Sequence, residues 1–290
     1  MKVTITMPAY NEEESLGRVI KEIRSVMEKT DYNYSILVVD DGSKDRTVEV
    51  AKENKAMVFS NKRNLGLAET FKREMEECIK LKPDIIFHTD ADGQYPAEYI
   101  PRLIEKLNEG YDLVLGARFG KGNYSGSLMK KLGNKAFAKV FSGLLKTNLT
   151  DTTTGFRAFT KEVASLPLIN TFTYTQEQLI RAGKAKMKVA EIPINTRKTR
   201  ESRLFRNSFD YAIKAWINIL RIYRDFEPLR FFGVFGSIFI FIAILFSIFL
   251  VYTFITSGKV GHIPLTIVTA LLYLMGVQII VFGFLADMKK

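Results

Sequence analysis

The sequence predicts an α/β protein: a mostly parallel sheet with helices on both faces, then an interfacial amphipathic helix and a C-terminal two-helix transmembrane hairpin. Three observations predict it. Apolar strand-like runs alternate with helix-period stretches through the first third of the chain, polar clusters recur where those strands end, and the last quarter holds two long uncharged segments. Alternating strands and helices imply parallel neighbours, because each crossover helix returns the chain to the same end of the sheet.

In order, strands are expected at 2–7, 34–39, 56–60, 85–88 and 113–115, with helices at 12–29, 45–53, 67–81 and 97–108 between them. A further helix is expected at 125–145, then a polar segment at 151–159, a helix around 175–182, a strand at 188–193 and a basic loop at 195–203. Beyond that loop Phe205, Phe209, Ile213, Trp216, Leu220 and Tyr223 recur every three or four residues. Arg206, Asp210, Lys214, Asn218, Arg221 and Asp225 fall largely on the opposite side. A basic amphipathic helix with an aromatic stripe reads as lying in a membrane interface. An ordinary surface helix packed on the sheet is the alternative. The organisation is therefore a domain at 1–204, a juxtamembrane helix at 205–228 and two spans within 229–290.

The spans rest on length. Residues 231–255 and 263–285 carry no charge. A helix needs roughly 20 apolar residues to cross a hydrocarbon core of about 30 Å. Arg221, Arg224 and Arg230 precede the first span, Lys289 and Lys290 follow the second, and only Lys259 lies between them. The excess of cations outside the hairpin predicts a multi-pass protein of the cell membrane with both termini and the domain at 1–204 in the cytoplasm. No signal peptide is expected, since Met1-Lys2-Val3-Thr4-Ile5-Thr6 runs directly into a strand.

The net charge of +11 is concentrated late in the chain: residues 181–230 hold thirteen Lys/Arg against five Asp/Glu. Because this patch runs into a membrane span, attraction to lipid phosphate accounts for it better than nucleic acid does. A single cysteine, Cys78, excludes an intrachain disulfide and agrees with a reducing compartment. Neither Gly-x-Gly-x-x-Gly nor Gly-x-x-x-x-Gly-Lys-Ser/Thr occurs, so the dinucleotide and P-loop devices are absent.

The chemistry sits at the strand ends. Asp90-Ala91-Asp92-Gly93-Gln94-Tyr95 closes the apolar run 84–89. The carboxyl end of a strand is where open α/β sheets bind ligands. Two carboxylates one residue apart, with an amide oxygen nearby, form a hard-oxygen site for Mg²⁺ or Mn²⁺. A plain Asp-Gly turn is the alternative for that dipeptide alone. Four other clusters fall at neighbouring strand ends: Met7-Pro8-Ala9-Tyr10-Asn11-Glu12, Val39-Asp40-Asp41-Gly42-Ser43, Asn64-Leu65-Gly66 and Gly116-Ala117-Arg118. All five should line one edge of the sheet, which independent turns rarely do.

With Thr154-Gly155-Phe156-Arg157, these motifs resemble the family-2 inverting glycosyltransferases, in the branch of dolichyl-phosphate mannose synthase and bactoprenol glucosyltransferase. The resemblance runs from residue 1 to about 205. It implies a GT-A fold and a nucleotide-sugar donor held by Pro8, Ala9, Tyr10, Glu12, Asp40, Asp41, Asn64, Asp90 and Ala91. It also implies a divalent metal held by Asp92 and Gln94 with Asp90 in support. A phosphate monoester acceptor is already anionic and needs cations rather than a general base. Candidates are Arg118, Lys131 or its neighbour Lys130, Arg157, Arg197 and Arg203. The branch usually shows Arg-x-x-Gly-x-Ser-Lys in the late loop; here it reads Arg197-Lys198-Thr199-Arg200-Glu201-Ser202-Arg203. Glu177 stands where the family often has an acidic residue near the acceptor, and joins Asp90, Asp92 and Arg118 as a catalytic candidate.

The implied activity is transfer of one sugar, with inversion, from GDP-mannose first or UDP-glucose second to a polyprenyl (dolichyl) phosphate. The alternatives are a glycosyltransferase using another lipid or glycan acceptor, and a non-catalytic nucleotide-binding membrane protein. Processive synthesis is disfavoured because Gln-x-x-Arg-Trp is absent; Trp216 follows Lys214-Ala215.

Overall fold

The computed structural model describes residues 1–118, 142, 149–168, 174–197, 217, 220–221, 223–259 and 263–288. The expected helix at 125–145 and most of the expected amphipathic helix at 205–228 lie outside these residues. The chain divides into two units, Met1–Ile213 and Lys214–Lys290.

The first unit is built on a seven-stranded sheet: β1 (Lys2–Ala9), β2 (Asn33–Asp40), β3 (Met57–Ser60), β4 (Ile85–His88), β5 (Leu113–Ala117), β6 (Arg157–Thr160) and β7 (Val189–Pro193). Its spatial order is β3-β2-β1-β4-β6-β5-β7. The strands are parallel except β6, which runs antiparallel to both β4 and β5. The carboxyl ends of the six parallel strands and the amino end of β6 therefore meet along one edge.

The register explains which residues face which layer. Val3, Ile5 and Met7 of β1, with Ile85 and Phe87 of β4, join the core formed with α1 (Glu13–Met27) and α4 (Ile100–Asn108). Helix α1 buries Leu16, Val19, Ile20, Ile23 and Met27, and α4 buries Ile100, Leu103, Ile104 and Leu107. Spacing of three and four puts each set on one stripe. The alternate residues Thr6 and His88 face α3 (Leu67–Lys80), where Glu74 hydrogen-bonds Thr6. Cys78 is buried on α3, and burial first of all pushes its thiol well above the reactive range. Shorter helices complete the unit: α2 (Thr47–Glu53), α5 (Lys161–Ala164) and α6 (Tyr174–Lys184).

The sequence pattern did not mark β6 as a strand. Four residues that begin with a buried arginine, behind a run of threonines, carry no period-two apolar signal. Tertiary pairing with β4 and β5 makes the strand.

The second unit pairs α7 (Pro228–Ser257) with α8 (Ile263–Asp287). Both helices are long and apolar enough to cross a membrane, with mean hydropathies of 2.9 and 2.3. Backbone meets backbone at Gly236 and Gly276: a Cβ on Gly236 would stand 2.6 Å from the Gly276 carbonyl oxygen. Small residues at such a crossing allow the close approach that holds apolar helices together. The Ser247 and Tyr273 hydroxyls hydrogen-bond at 3.2 Å across the same pair.

Phe156, just before β6, is fully buried between Phe87, edge-on at 4.8 Å, and Tyr95, stacked at 5.1 Å. Phe156→Ala should cost about 3–5 kcal/mol of folding stability, and Phe156→Leu distinctly less, read from chemical unfolding of the full chain in detergent.

Candidate active site

At the β1 and β2 ends, two loops lace together. The Asp41 amide donates to the Ala9 carbonyl at 2.8 Å, the Asn11 amide to the Ser43 hydroxyl at 2.9 Å, and the Lys44 amide to the Asn11 side-chain oxygen at 2.9 Å. Asp40 and Asp41 are almost fully buried. Asp40 accepts the Ser43 amide at 3.0 Å. Asp41 accepts three donors at 2.9 Å each: the Leu65 and Gly66 amides and the Asn61 side chain. Asp41 thus organises the loop after β3. Asn64, expected to bind the donor, is exposed in that loop, while Asn61, which the sequence reading missed, joins Asp41 to Thr70 and Arg73. Its position directly after β3 was the available signal. Tyr10 is exposed at the mouth of these loops, beside Pro8 and Ala9, while Glu12 opens α1 and accepts the Ser15 hydroxyl at 2.8 Å.

Asp90 and Asp92 stand at the end of β4. Asp92 accepts the Gln94 amide at 2.9 Å, a turn that folds the loop back on itself. Ala91 is buried between the two carboxylates. Asp90 is half-buried and accepts no hydrogen bond from the described residues. Gly155 is pressed against it: a Cβ there would lie 2.9 Å from the Asp90 Oδ1. Burial above all, with help from Asp92 and Glu74, raises Asp90 to about 6, although His88 and Arg118 pull the other way. Asp90 has no hydrogen-bond donor among the described residues and a second carboxylate beside it, and the charges of His88 and Arg118 do not bring it back to its ordinary value. Among the described residues no group of three or more His, Cys, Asp and Glu side chains gathers to hold a metal. Two carboxylates and one amide instead fit a cation that takes its other ligands from water and phosphate, as Mg²⁺ and Mn²⁺ do.

Beneath the site lies a buried ionic layer. His88 is fully buried, its Nδ1 2.6 Å from the Gly155 carbonyl and its Nε2 3.4 Å from Glu74. Burial opposes its charge, but Glu74 outweighs that and lifts the imidazole above its ordinary value. This pair fixes Gly155 where it backs Asp90.

Arg118 follows β5 and is gripped by Asp151: Nε to Oδ2 at 2.7 Å, Nη2 to Oδ1 at 3.0 Å, with Nη2 also reaching the Thr153 hydroxyl at 2.7 Å. Burial raises the Asp151 carboxyl, yet the charge and hydrogen bonds of Arg118 leave it below the usual range. Asp151 is the orienting partner that the sequence reading missed.

Three of the expected residues are engaged with protein partners. Arg157 is wholly buried, and its guanidinium donates to the Thr175 and Thr154 carbonyls and to Gln178, so it faces protein rather than an acceptor phosphate. Glu177 is also buried and paired with Arg181 one turn later at 2.7 Å. Arg197 makes a two-pronged pair with Glu22 of α1 at 2.6 and 2.8 Å. That bond, against the cost of burial, holds the Glu22 carboxyl below its ordinary range. Lys130, Lys131 and Arg203 lie outside the described residues.

With this geometry in place, residues 4–165 match the family described as Glycosyl transferase family 2. The chain belongs to that family. This glycosyltransferase is 34% identical over 201 residues to the dolichyl-phosphate hexose transferase of Haloferax volcanii, covering 66% of this chain and 81% of that protein. It is also 34% identical over 203 residues to the dolichol-phosphate mannosyltransferase of Pyrococcus furiosus, covering 67% of this chain and 56% of that one. Its fold is similar to glucosyl-3-phosphoglycerate synthase from Mycobacterium tuberculosis in complex with Mn²⁺ and uridine-diphosphate-glucose, with a TM-score of 0.59, 21% identity, and 77% and 78% of the two chains covered. The first unit of this glycosyltransferase is GT-A-like, as the motifs predicted.

The Asp90 environment makes a pH-dependent prediction. A carboxyl held at about 6, above its ordinary 3.8, stabilises the fold only when protonated, so its contribution is present below about 4 and lost as pH rises through about 6. In chelator, Asp90→Asn should raise the thermal midpoint at pH 8, by the equivalent of about 1–3 kcal/mol, and leave it nearly unchanged at pH 4.

Proposed function

We propose that this glycosyltransferase moves a single hexose, with inversion, from a nucleotide sugar to a polyprenyl phosphate at the cytoplasmic face of a membrane. The observation that carries the reading is the Asp90–Asp92 pair at the carboxyl edge, where the laced loops of Pro8–Glu12 and Asp40–Ser43 and the clamped cation Arg118 also lie. The printed activities of the two curated relatives, a dolichyl-phosphate hexose transferase and a dolichol-phosphate mannosyltransferase, support the acceptor class. GDP-mannose is the first choice of donor and UDP-glucose the second.

In this reading Pro8, Ala9, Tyr10, Glu12 and Asp40 surround the nucleoside, and Asp41 shapes the pocket wall through the 61–66 loop. Asp92 and Gln94 hold Mg²⁺ or Mn²⁺ on the diphosphate with Asp90 in support. The ion, when bound, offsets charge on the departing nucleoside diphosphate. Arg118 is already oriented by Asp151, so it stabilises that charge without reorganising during the reaction. A phosphate acceptor attacks as an anion, which agrees with the burial of Glu177, the acidic side chain expected near the acceptor. The apolar hairpin of α7 and α8 spans the bilayer with both chain ends on the cytoplasmic side, where the lipid phosphate is offered.

Membranes containing the full chain, given labelled GDP-mannose and UDP-glucose in turn with a polyprenyl phosphate and Mn²⁺, should yield a labelled lipid-phosphate sugar with one of the two donors. Chelator should abolish it, and Asp92→Ala should lower the rate about 100-fold or more. Full activity of Asp92→Ala overturns the metal assignment, and transfer to a glycan or diacylglycerol alone overturns the acceptor.

A further inference from the structure

We infer that Glu22 is a positioning residue that locks the segment after the Asp90–Asp92 pair to the start of the late basic loop, with Arg197 as the arm of that lock. The inference rests on the transferase reading above.

Glu22 lies on α1, in none of the motifs. Its Oε1 accepts the Ala97 amide at 2.9 Å and Arg197 Nη2 at 2.8 Å, while Oε2 accepts Arg197 Nη1 at 2.6 Å. The Arg197 amide in turn donates to the Gln94 carbonyl at 2.9 Å. These contacts close a ring: Gln94 to Arg197, Arg197 to Glu22, Glu22 to Ala97, and back along the chain to Gln94. One carboxylate and one carbonyl thus join three segments far apart in sequence. One turn earlier on α1, Arg18 lies against the same loop, since a Cβ on Gly93 would sit 3.0 Å from its Nη2. Helix α1 is a rail along which the loop after β4 and the first residue of the Arg197–Arg203 stretch are both held.

The ring does little for overall stability. The Glu22 and Arg197 side chains are 27% and 48% exposed, and ion pairs that open to solvent contribute little. What a two-pronged guanidinium–carboxylate pair supplies is orientation, because both planes are fixed together. Gln94 stands two residues from Asp92, on the donor side, and residue 197 begins the stretch that carries the cations expected at the acceptor. A ring joining them couples the two substrates' sites in distance and angle, and small displacements there are costly to rate. It also gives Arg197 a role other than ligand of the acceptor phosphate.

The test uses the full chain in native-like membranes, with Glu22→Ala, Glu22→Gln and Arg197→Ala. For Glu22→Ala, kcat/KM toward polyprenyl phosphate should fall about tenfold or more while nucleotide-sugar affinity and the thermal midpoint stay near wild type. Glu22→Gln, whose amide oxygen still accepts from the Ala97 amide and from Arg197, should recover most of the loss. Hydrogen exchange at the Arg197 amide should quicken in Glu22→Ala and slow again in Glu22→Gln. Unchanged acceptor kinetics in Glu22→Ala overturn the inference. So does a parallel loss of donor affinity and melting temperature, which marks a merely structural contact. A loss in Arg197→Ala far beyond that of Glu22→Ala overturns it as well, placing Arg197 on the phosphate itself. Should the wild-type chain transfer no sugar to any polyprenyl phosphate, the transferase reading fails instead, and amide exchange at Arg197 still decides whether the lock exists.

Discussion

One antiparallel strand inserted into a parallel sheet organises everything around the site. Because β6 runs between β4 and β5 in the opposite sense, its amino end arrives at the edge where the other strands have their carboxyl ends. That arrival presses Gly155 against Asp90, offers the Gly155 carbonyl to His88, and leads in from Asp151, which grips Arg118. A parallel strand in the same slot would present its other end and leave Asp90, His88 and Arg118 without these neighbours.

The arrangement accumulates charge and then divides it into two kinds. Asp41, Asp151 and Arg118 are satisfied by close, multiple partners and act as fixed architecture. Asp90, with no donor among the described residues and Asp92 beside it, is lifted by burial, so its charge is costly in the fold. In the proposed transfer this arrangement would act as electrostatic preorganisation, with groups that face the reacting charge held by others that do not move. The buried His88–Glu74 pair belongs to the second tier, because it fixes the backbone that shapes the first.

Much of this was legible in residue order. Apolar runs and three-to-four spacing located β1 to β5 and α1 to α4 to within three residues, since strands covered on both faces read as apolar runs and helices bury one stripe. The strand-end clusters at Pro8, Asp40, Asp90 and Arg118 could be assigned to one edge because parallel crossovers leave no other choice. The two uncharged stretches declared α7 and α8 by length alone. Less legible were the partners. Asn61, Asp151 and Glu22 carry no motif, and each acquires its role from a residue 20 to 175 positions away. Arg157 and Glu177 were acceptor-side candidates by resemblance, and a sequence pattern does not reveal that each lies buried against protein partners.

By itself, then, the sequence determined the family, the α/β class, the edge on which the polar clusters gather and the apolar helices, because each follows from local periodicity or from short contiguous motifs. Tertiary structure alone decided which charges are free and which are engaged. Whether a carboxylate meets an amide, a guanidinium or nothing depends on chain segments that only folding brings within hydrogen-bond distance, and β6, invisible as a pattern, is the element that brings most of them there.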